Sequence, residues 1–498
     1  MPRPISSIVI IGGGTAGWMA AAALSSARKL EGVKITLVES SDIGTIGVGE
    51  ATLPTLRQFH AVLKIDEAEF MKATRATFKL GIRFNDWNRL GGSFFHPFSY
   101  YGATLGQGAF HEYWARGREG GFADPLESYC FSACMAEHRR FAQPHPKPPA
   151  EFANYTYAFH FDAGLYARFL KSYATARGVT AVDDLVTDVA RDAETGHIES
   201  VNLRSGQALS ADMFIDCSGF RALLLEGALK TGFEDWSHWL PVDRAVALPC
   251  ERGPDLTPFT TATAMEAGWR WRIPLTHRTG NGHVYCSAWL DDEAALSGLT
   301  RHLDGRVLGD PNFIRFTTGR RKAFWAGNCI GLGLSTGFIE PLESTSIGLI
   351  QSGLTRLLAH WPDTGFDATT IAAANAEFNA EMERIRDFII LHYKATSRDD
   401  SALWRYVRDM AIPDSLRHQI EAFTERGEIV RYPHDPFEAP SWLAMYAGFG
   451  LTPRQLPRRA YDLSDVDLNG LLSDMKGVIA QNSTRMLSHA AFIDKYLT

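Results

Sequence analysis

The sequence predicts a two-part α/β fold of the Rossmann type with a mainly helical C-terminal module, and three observations support this. A strand, a glycine-rich turn, a helix and a second strand, KITLVE, open the chain. Short strand patterns return between residues 180 and 215, and the apolar segment AFWAGNCIGLG follows only at residues 323–333. From Leu342 onward, apolar residues recur at helical spacing. One sheet is therefore expected to be split by long insertions.

Periodicity and capping residues place the individual elements. The opening strand is expected at residues 5–11, the first helix at 18–30 and the second strand at 33–39. Asp162 is expected to cap a helix over residues 163–177 that ends at Gly178. Further strands are predicted at residues 180–185, 186–192, 199–203 and 213–215, and further helices at residues 342–361 and 369–393 and from about Asp414 and Ser464.

These elements suggest a division into modules. Residues 1–350 are expected to form the nucleotide-binding module, interleaved with substrate-facing insertions at about 85–160 and 235–320. Residues 351–498 are expected to form a mainly helical, substrate-side module packed on it.

Composition excludes several classes of protein. The formal net charge of -7 over 498 residues gives no basic surplus for a nucleic-acid backbone. Residues 8–24 are almost wholly apolar but contain four glycines, and no other window approaches the roughly 18 unbroken apolar residues of a membrane helix. The six cysteines form no CxxC pair, and His and Cys do not cluster at zinc-ligand spacing. We expect a cytoplasmic enzyme with reduced thiols, no metal, and no nucleic-acid or membrane partner.

The glycine turn fits the dinucleotide fingerprint G-x-G-x-x-G. Gly12 permits the tight turn, Gly14 lets a pyrophosphate approach the backbone, and Gly17 lets helix and strand pack closely. Glu39 ends the second strand 22 residues after Gly17, near the spacing expected for a carboxylate on ribose hydroxyls. An acidic residue there favours FAD or NAD over NADP. The alternative is a glycine turn without a ligand.

Two later segments favour FAD. Residues 214–221, FIDCSGFR, and residues 323–333 resemble the second and third cofactor-contacting elements of FAD-containing hydroxylases. Ordinary strand-to-helix turns are the alternative interpretation. No second nucleotide fingerprint is evident, so a separate NAD(P)H-dependent flavin reductase is expected to supply FADH2.

Four further segments resemble the tryptophan halogenase family over most of the chain. They are GGGTAGWMAA at the fingerprint, GTIGVGEA at residues 44–51, GWRWRIP at residues 268–274, and FIEPLESTS at residues 338–346 beside Lys79 of FKLGIRF. GWRWRIP is the most specific, because it matches the family's G-W-x-W-x-I-P signature. Without the resemblance, Trp269 and Trp271 would be interpreted as core residues on one face of a strand.

The resemblance implies an FADH2-dependent halogenase that uses O2 and oxidises bromide or chloride to hypohalous acid. It assigns catalysis to Lys79 and Glu343; without it, Lys79 would be interpreted as a solvated strand lysine and Glu343 as a residue favoured by a helix dipole. Lys79 would hold hypohalous acid by a hydrogen bond or form a haloamine, and Glu343 would polarise that acid or accept the ring proton. The amides of Thr345 and Ser346 would bind halide at a helix start.

The resemblance also assigns binding residues. Trp269 and Trp271 would keep substrate away from the flavin, and His96, Phe98 and Phe437 would form a flat aromatic slot. The cofactor residues would be Gly12, Gly14, Thr15, Ala16, Gly17, Glu39, Val48, Gly49, Glu50, Ala51, Val186, Leu334 and Ile347.

Two departures from the family pattern bear on the substrate. Ser346 replaces the usual glycine of the halide site, which leaves the preference between chloride and bromide open. We expect bromide to be used readily, because it is more easily oxidised than chloride. The tyrosines and glutamate that clamp free tryptophan have no visible counterpart in residues 426–442. We therefore expect indole, an indole derivative or an aromatic carried on a larger scaffold. The alternative functions are a flavin-dependent aromatic monooxygenase and a non-catalytic FAD-binding protein. The sequence leaves the oligomeric state open, and a homodimer is one candidate.

Overall fold

The computed structural model describes residues 2–44 and 49–498. The chain divides into two compact units, each drawn from three separate stretches. Unit 1 comprises Met1–Ala76, Phe161–Pro241 and Arg315–Glu383, and unit 2 comprises Thr77–His160, Val242–Ile314 and Arg384–Thr498.

The elements are numbered in chain order over these described residues. The strands are β1 Ser7–Ile11, β2 Lys34–Glu39, β3 Gly49–Ala51, β4 Thr77–Lys79, β5 Gly81–Asn85, β6 Ser93–Pro97, β7 Ala158–Asp162, β8 Thr180–Asp183, β9 Val186–Arg191, β10 Ile198–Leu203, β11 Ala208–Ser210, β12 Met213–Asp216, β13 Phe233–Asp235, β14 Arg244–Ala247, β15 Thr260–Met265, β16 Gly268–Pro274, β17 Thr279–Tyr285, β18 Asn312–Arg315, β19 Gly319–Arg321, β20 Trp325–Ala326, β21 Cys329–Gly331 and β22 Gly337–Phe338. The α-helices are α1 Thr15–Ser26, α2 Thr55–Leu63, α3 Glu67–Thr74, α4 Phe110–Glu119, α5 Phe131–Glu137, α6 Ala163–Thr175, α7 Asp292–Thr300, α8 Ser346–Ala359, α9 Ala368–Lys394, α10 Ala402–Asp409, α11 Asp414–Arg426, α12 Ala439–Gly448, α13 Asp465–Ser483 and α14 His489–Leu497.

A sheet with strand order β20-β21-β12-β1-β2-β8 forms the centre of unit 1, and it is parallel except for the edge strand β20. Strand β1 pairs in parallel with both β2 and β12, so that Val9 lies between Thr36 and Phe214. The late strand β21 continues the sheet beside β12. The predicted Rossmann fold is confirmed, including a sheet that resumes after long insertions. The glycine turn therefore lies at the carboxyl end of a central strand, where this fold binds nucleotides.

Capping chemistry determines where helices of unit 1 begin. The Asp162 carboxylate accepts a hydrogen bond from the Leu165 amide at 3.0 Å, which confirms the predicted start of α6. The helix predicted from Leu342 begins instead at Ser346, because Ser344 adopts a left-handed conformation with φ of 60°. A 3₁₀ turn, Pro341–Glu343, precedes it.

A seven-stranded sheet with order β18-β14-β17-β16-β15-β5-β6 forms the centre of unit 2. Strand β16, the predicted tryptophan strand, lies between β15 and β17 and pairs antiparallel with both. The short strand β4 pairs antiparallel with β7, which places Lys79 opposite Ala158. The segment FKLGIRF is thus divided between β4 and β5, and only β5 belongs to the large sheet.

This division differs from the predicted modules in two respects. Residues 351–383 belong to unit 1, because α8 packs against α1 and α2 of the same unit. The two predicted insertions fall mainly in unit 2, together with the C-terminal helices.

Candidate active site

The glycine turn of unit 1 is shaped for a bound phosphate group. At Gly12, with φ of +115°, a Cβ atom would lie 2.2 Å from the Cys217 carbonyl oxygen. At Gly17 it would lie 1.8 Å from the Gly12 carbonyl oxygen, so a side chain there would separate α1 from the turn. At Gly14 a Cβ atom would meet no other atom within 4 Å. The turn therefore leaves open space beside the N-terminus of α1, and this fits a dinucleotide pyrophosphate.

Replacing Gly14 with valine is expected to weaken FAD binding without unfolding the protein. Gly14 has an extended backbone, φ -76° and ψ -173°, that accepts a side chain, and the valine would occupy the phosphate space. We expect the dissociation constant for FAD to rise at least about tenfold, or about 1.4 kcal/mol, as measured by flavin fluorescence. The thermal midpoint of the cofactor-free protein should stay near that of the wild type.

Gly17→Ala is the matched control, since its added methyl group meets the Gly12 carbonyl oxygen directly. This variant should lose thermal stability before any ligand is added. An unchanged FAD affinity in a folded Gly14→Val variant would rule out a pyrophosphate at the turn.

Glu39 lies directly beside the turn, as its spacing predicted. Its carboxylate accepts a hydrogen bond from the Trp18 indole nitrogen at 3.1 Å and pairs with the Lys171 ammonium at 2.5 Å. A Cβ atom on Gly13 would lie 2.2 Å from the carboxylate, so the turn and the end of β2 are in contact. The two donors hold Glu39 at the end of β2, where a ribose would lie.

The other predicted cofactor residues all belong to unit 1. Thr15 and Ala16 begin α1. The turn that carries Leu334 packs against the start of α1, since a Cβ atom on Gly333 would lie 2.9 Å from the Ala16 Cβ. The remaining predicted positions are Gly49, Glu50 and Ala51 in β3, Val186 in β9, Ile347 in the first turn of α8, and Val48, which lies outside the described residues. Burial raises the pKa of Glu50 to about 7.

The segment FIEPLESTS lies in unit 1 and buries its polar groups. Glu343 is fully buried at the end of the 3₁₀ turn, and Ser344 then redirects the chain. Thr345 is the N-cap of α8, and Ser346 is its first residue. The Thr345 hydroxyl is buried and has no hydrogen-bond partner among the described residues. A buried hydroxyl of this kind at a helix start favours a bound anion.

Lys79 is fully buried at the end of β4 in unit 2. Its ammonium lies 5.1 Å from the centre of the Phe98 ring, within cation–π range. The solvated strand lysine of the alternative interpretation is therefore wrong. Lys79 belongs to unit 2 and Glu343 to unit 1, and their joint action stays a prediction.

A hydrogen-bonded chain fixes β4 beside Lys79. The Thr77 hydroxyl donates to the Pro274 carbonyl at 2.7 Å, so His160 Nδ1 donates to Thr77 Oγ1 at 3.0 Å. His160 Nε2 then accepts from the Thr260 hydroxyl at 2.9 Å. Burial, followed by the positive charge of Lys79, holds the pKa of His160 well below its usual range. The histidine is therefore neutral and does not compete with Lys79 for an anion.

The tryptophan strand has the predicted geometry. Trp269 and Trp271 lie two residues apart on one face of β16, and both are buried, with ring centres 6.1 Å apart and planes inclined by 58°. The Trp271 indole nitrogen has no hydrogen-bond partner among the described residues. Packing as core residues and walling off a chamber are both compatible with this placement.

The predicted substrate residues lie in an aromatic cluster, and the flat slot between them stays a prediction. The His96 and Phe98 rings are 6.4 Å apart but inclined by 64°, so they are not parallel walls. Phe388 of α9 stacks on Phe437 at 3.9 Å and lies 6.0 Å from His96. Trp442 packs edge-on against Phe388 at 5.0 Å. Phe98 is only half-buried, so its open face is where a substrate ring can stack.

Asp435 holds this cluster in place. Its carboxylate accepts hydrogen bonds from the Phe437 amide at 2.9 Å and from the Trp442 indole nitrogen at 3.0 Å. Burial raises the pKa of Asp435 to about 6, and the hydrogen bonds and the nearby arginines oppose this shift. Sequence reasoning missed Phe388, Trp442 and Asp435. An aspartate two residues before Phe437 and a Phe–His pair at i and i+4 in α9 were the available signals.

Two further features concern only the described part of the chain. No helix in residues 2–44 and 49–498 combines the length and apolarity needed to cross a bilayer. The same residues contain no group of three or more His, Cys, Asp or Glu side chains that could hold a metal ion.

Comparison with known proteins agrees with this geometry. The tryptophan halogenase family matches residues 7–465. Tryptophan 6-halogenase SttH from Streptomyces toxytricini is 38% identical over 447 residues, which cover 84% of each chain. The structure of BrvH, a flavin-dependent halogenase from Brevundimonas sp. BAL3, is 44% identical and matches 100% of both chains with a TM-score of 0.96. Xcc4156, a flavin-dependent halogenase from Xanthomonas campestris, is 43% identical and matches 99% of both chains with a TM-score of 0.95.

The family match spans most of the chain, and the solved flavin-dependent halogenases share its whole fold. The glycine turn of unit 1 leaves space for the cofactor that these proteins use. The chain therefore belongs to the tryptophan halogenase family, and it is a flavin-dependent halogenase that uses FADH2, O2 and halide to halogenate an indole-type aromatic substrate.

Proposed function

We propose that this halogenase acts on indole or an indole derivative in preference to free tryptophan, at the aromatic cluster of unit 2. One observation supports the placement of the substrate ring: the buried Lys79 ammonium lies 5.1 Å from the ring of Phe98, and that ring is half-exposed. A flat, electron-rich ring stacked on Phe98 would lie within reach of an electrophile held by Lys79.

Each site residue then has a defined task. Reduced FAD supplies, with O2, the oxidising equivalents that convert halide to hypohalous acid. Lys79 holds the hypohalous acid, through a hydrogen bond or as a haloamine, and Glu343 polarises it or accepts the proton released from the ring. The Thr345 and Ser346 amides bind halide at the start of α8, and bromide is expected to be used readily.

Tryptophan is the substrate named for SttH, and it remains the competing candidate. A free amino acid needs partners for both its ammonium and its carboxylate. In the loop before α12, Arg431 donates to the backbone carbonyls of Asp435 and Phe437 and pairs with the Glu438 carboxylate. The Asp435 carboxylate accepts from the Phe437 amide and the Trp442 indole nitrogen. This loop therefore supplies no spare carboxylate that resembles the family's tryptophan clamp.

The need for reduced flavin predicts a partner protein. Flavin-dependent halogenases act on small aromatic substrates and need a partner flavin reductase. We propose that FADH2 reaches unit 1 from a separate NAD(P)H-dependent reductase, and that the halogenase itself works as a monomer or a homodimer.

Product mass tests the proposal. Purified protein is incubated with a flavin reductase, NADH, FAD and bromide, and with indole and L-tryptophan in competition. A bromine isotope doublet on indole in excess over tryptophan is the expected result. Strong preference for L-tryptophan would contradict the proposed substrate, and addition of a single oxygen atom would support a monooxygenase.

A further inference from the structure

Arg384 lies one helical turn before Phe388 on the same face of α9. Its Nε and Nη1 atoms are buried and donate no hydrogen bond to any described residue. The guanidinium carbon lies 4.7 Å from the centre of the Tyr432 ring, and Nη1 is 3.6 Å from an Asp387 carboxylate oxygen, beyond hydrogen-bond length. Arg384 thus offers two unsatisfied N–H donors beside the aromatic cluster.

The neighbouring carboxylates are already engaged by other donors. One Asp387 oxygen accepts from Nε and Nη2 of Arg386, and the other accepts from the Ser415 hydroxyl. Both Asp435 oxygens accept from the backbone and side chain that hold the cluster. A buried N–H without an acceptor is costly, so an acceptor from outside the protein would stabilise Arg384.

We propose that Arg384 recognises an acceptor oxygen, a carboxylate or a carbonyl, on the side chain of the indole substrate. This inference rests on the proposed function and specifies its substrate class. Arg384 and Phe388 lie four residues apart on α9, a rise of about 6 Å along the helix, so a ring packed against Phe388 can direct a short side chain toward Arg384. Simple indole would leave these donors unsatisfied.

The surrounding charge decides which indoles fit best. Arg384, Arg386 and Arg431 are balanced by Asp387, Asp435 and Glu438, since each of these acids lies in an ion pair or hydrogen-bonds within the same region. The acceptor oxygen therefore need not carry a charge. The ammonium group of free tryptophan would compete with the present donors for the two aspartates, whereas indole-3-acetate and indole-3-acetamide carry no ammonium.

Direct binding to the FAD-loaded, oxidised protein tests this inference without turnover. The ligands are indole, indole-3-acetate, indole-3-acetamide and L-tryptophan, measured by calorimetry. We expect the wild type to bind the acetate or the acetamide about tenfold more tightly than indole, and Arg384→Met to remove most of that preference. Arg417→Gln, at an exposed arginine of α11 whose side chain is 52% accessible, should keep it.

Two results would overturn the inference: a wild type with no preference for the oxygen-bearing ligands, or a folded Arg384→Met variant that retains the preference. Arg384→Lys keeps a charge and removes the planar donor pair, and it should lose more affinity for the acetamide than for the acetate. Arg384→Lys also takes the place of Arg384→Met in this test if the methionine variant does not fold. Because binding is measured without halogenation, failure of indole bromination would count against the proposed function alone.

Discussion

Replacing Lys79 with methionine is expected to abolish halogenation while leaving the protein folded. Methionine has a similar length and removes the amine that would hold hypohalous acid, and we expect a loss of at least about 10²–10³-fold in kcat. Lys79 is fully buried, and methionine fills nearly the same volume without leaving a cavity, so we expect the variant to fold. Product formation with bromide and indole, together with a thermal scan, measures both effects.

A second variant, Lys79→Arg, distinguishes the two roles proposed for the lysine. Lys79→Arg keeps a hydrogen-bond donor but stays protonated and cannot form a haloamine. Measurable bromination by the arginine variant would favour the hydrogen-bonded role, and complete loss in a folded variant would favour the haloamine. Full activity in a folded Lys79→Met variant would remove Lys79 from the reaction and with it the proposed mechanism.

Replacing Glu343 with glutamine is expected to lower the halogenation rate by about 10²–10⁴-fold, the usual contribution of a positioned acid or base. Glutamine preserves the size of the fully buried side chain but can neither accept a proton nor carry a negative charge. The binding of FAD should change little, because the glycine turn is untouched. Rates of bromination and flavin fluorescence titrations separate the two effects.

Glu340 offers a matched control, since it is equally buried and lies three residues earlier in the same segment. Glu340→Gln removes a buried carboxylate at a position to which no chemical role is assigned, and we expect most of the activity to survive. Equal losses in the two variants would indicate that buried charge in this segment supports the structure, and that Glu343 has no separate chemical task.

Local patterns predicted much of unit 1 correctly. Alternation and glycine spacing placed β1 and β2, and Asp162 marked the start of α6, because strands, tight turns and caps depend on neighbours in sequence. The helix around Glu343 was placed too early, because periodicity continues through PLEST and does not reveal the left-handed Ser344. The left-handed conformation of Ser344 therefore accounts for the difference between the predicted and the observed start of the helix.

The aromatic cluster shows where sequence reasoning stopped. His96 and Phe98 were identified from FFHPF, but Phe388 lies almost 300 residues later on a helix whose pattern indicated only an amphipathic surface. Stacking of Phe388 on Phe437, and the hydrogen bonds of Asp435, depend on which helix faces which strand. The residues predicted for the flat slot lie together, and the slot itself stays a prediction.

The sequence by itself determined the Rossmann sheet, the glycine turn and the family, because these depend on short segments whose spacing is fixed by local backbone geometry. The catalytic roles of Lys79 and Glu343 stay predictions. Only the tertiary structure decided that Lys79 is buried beside the Phe98 ring and that aromatic side chains from distant stretches form one cluster. It also decided that Arg384 retains unsatisfied donors beside that cluster. Burial and hydrogen-bond satisfaction depend on residues brought together from distant stretches of the chain, and no local pattern contains that information.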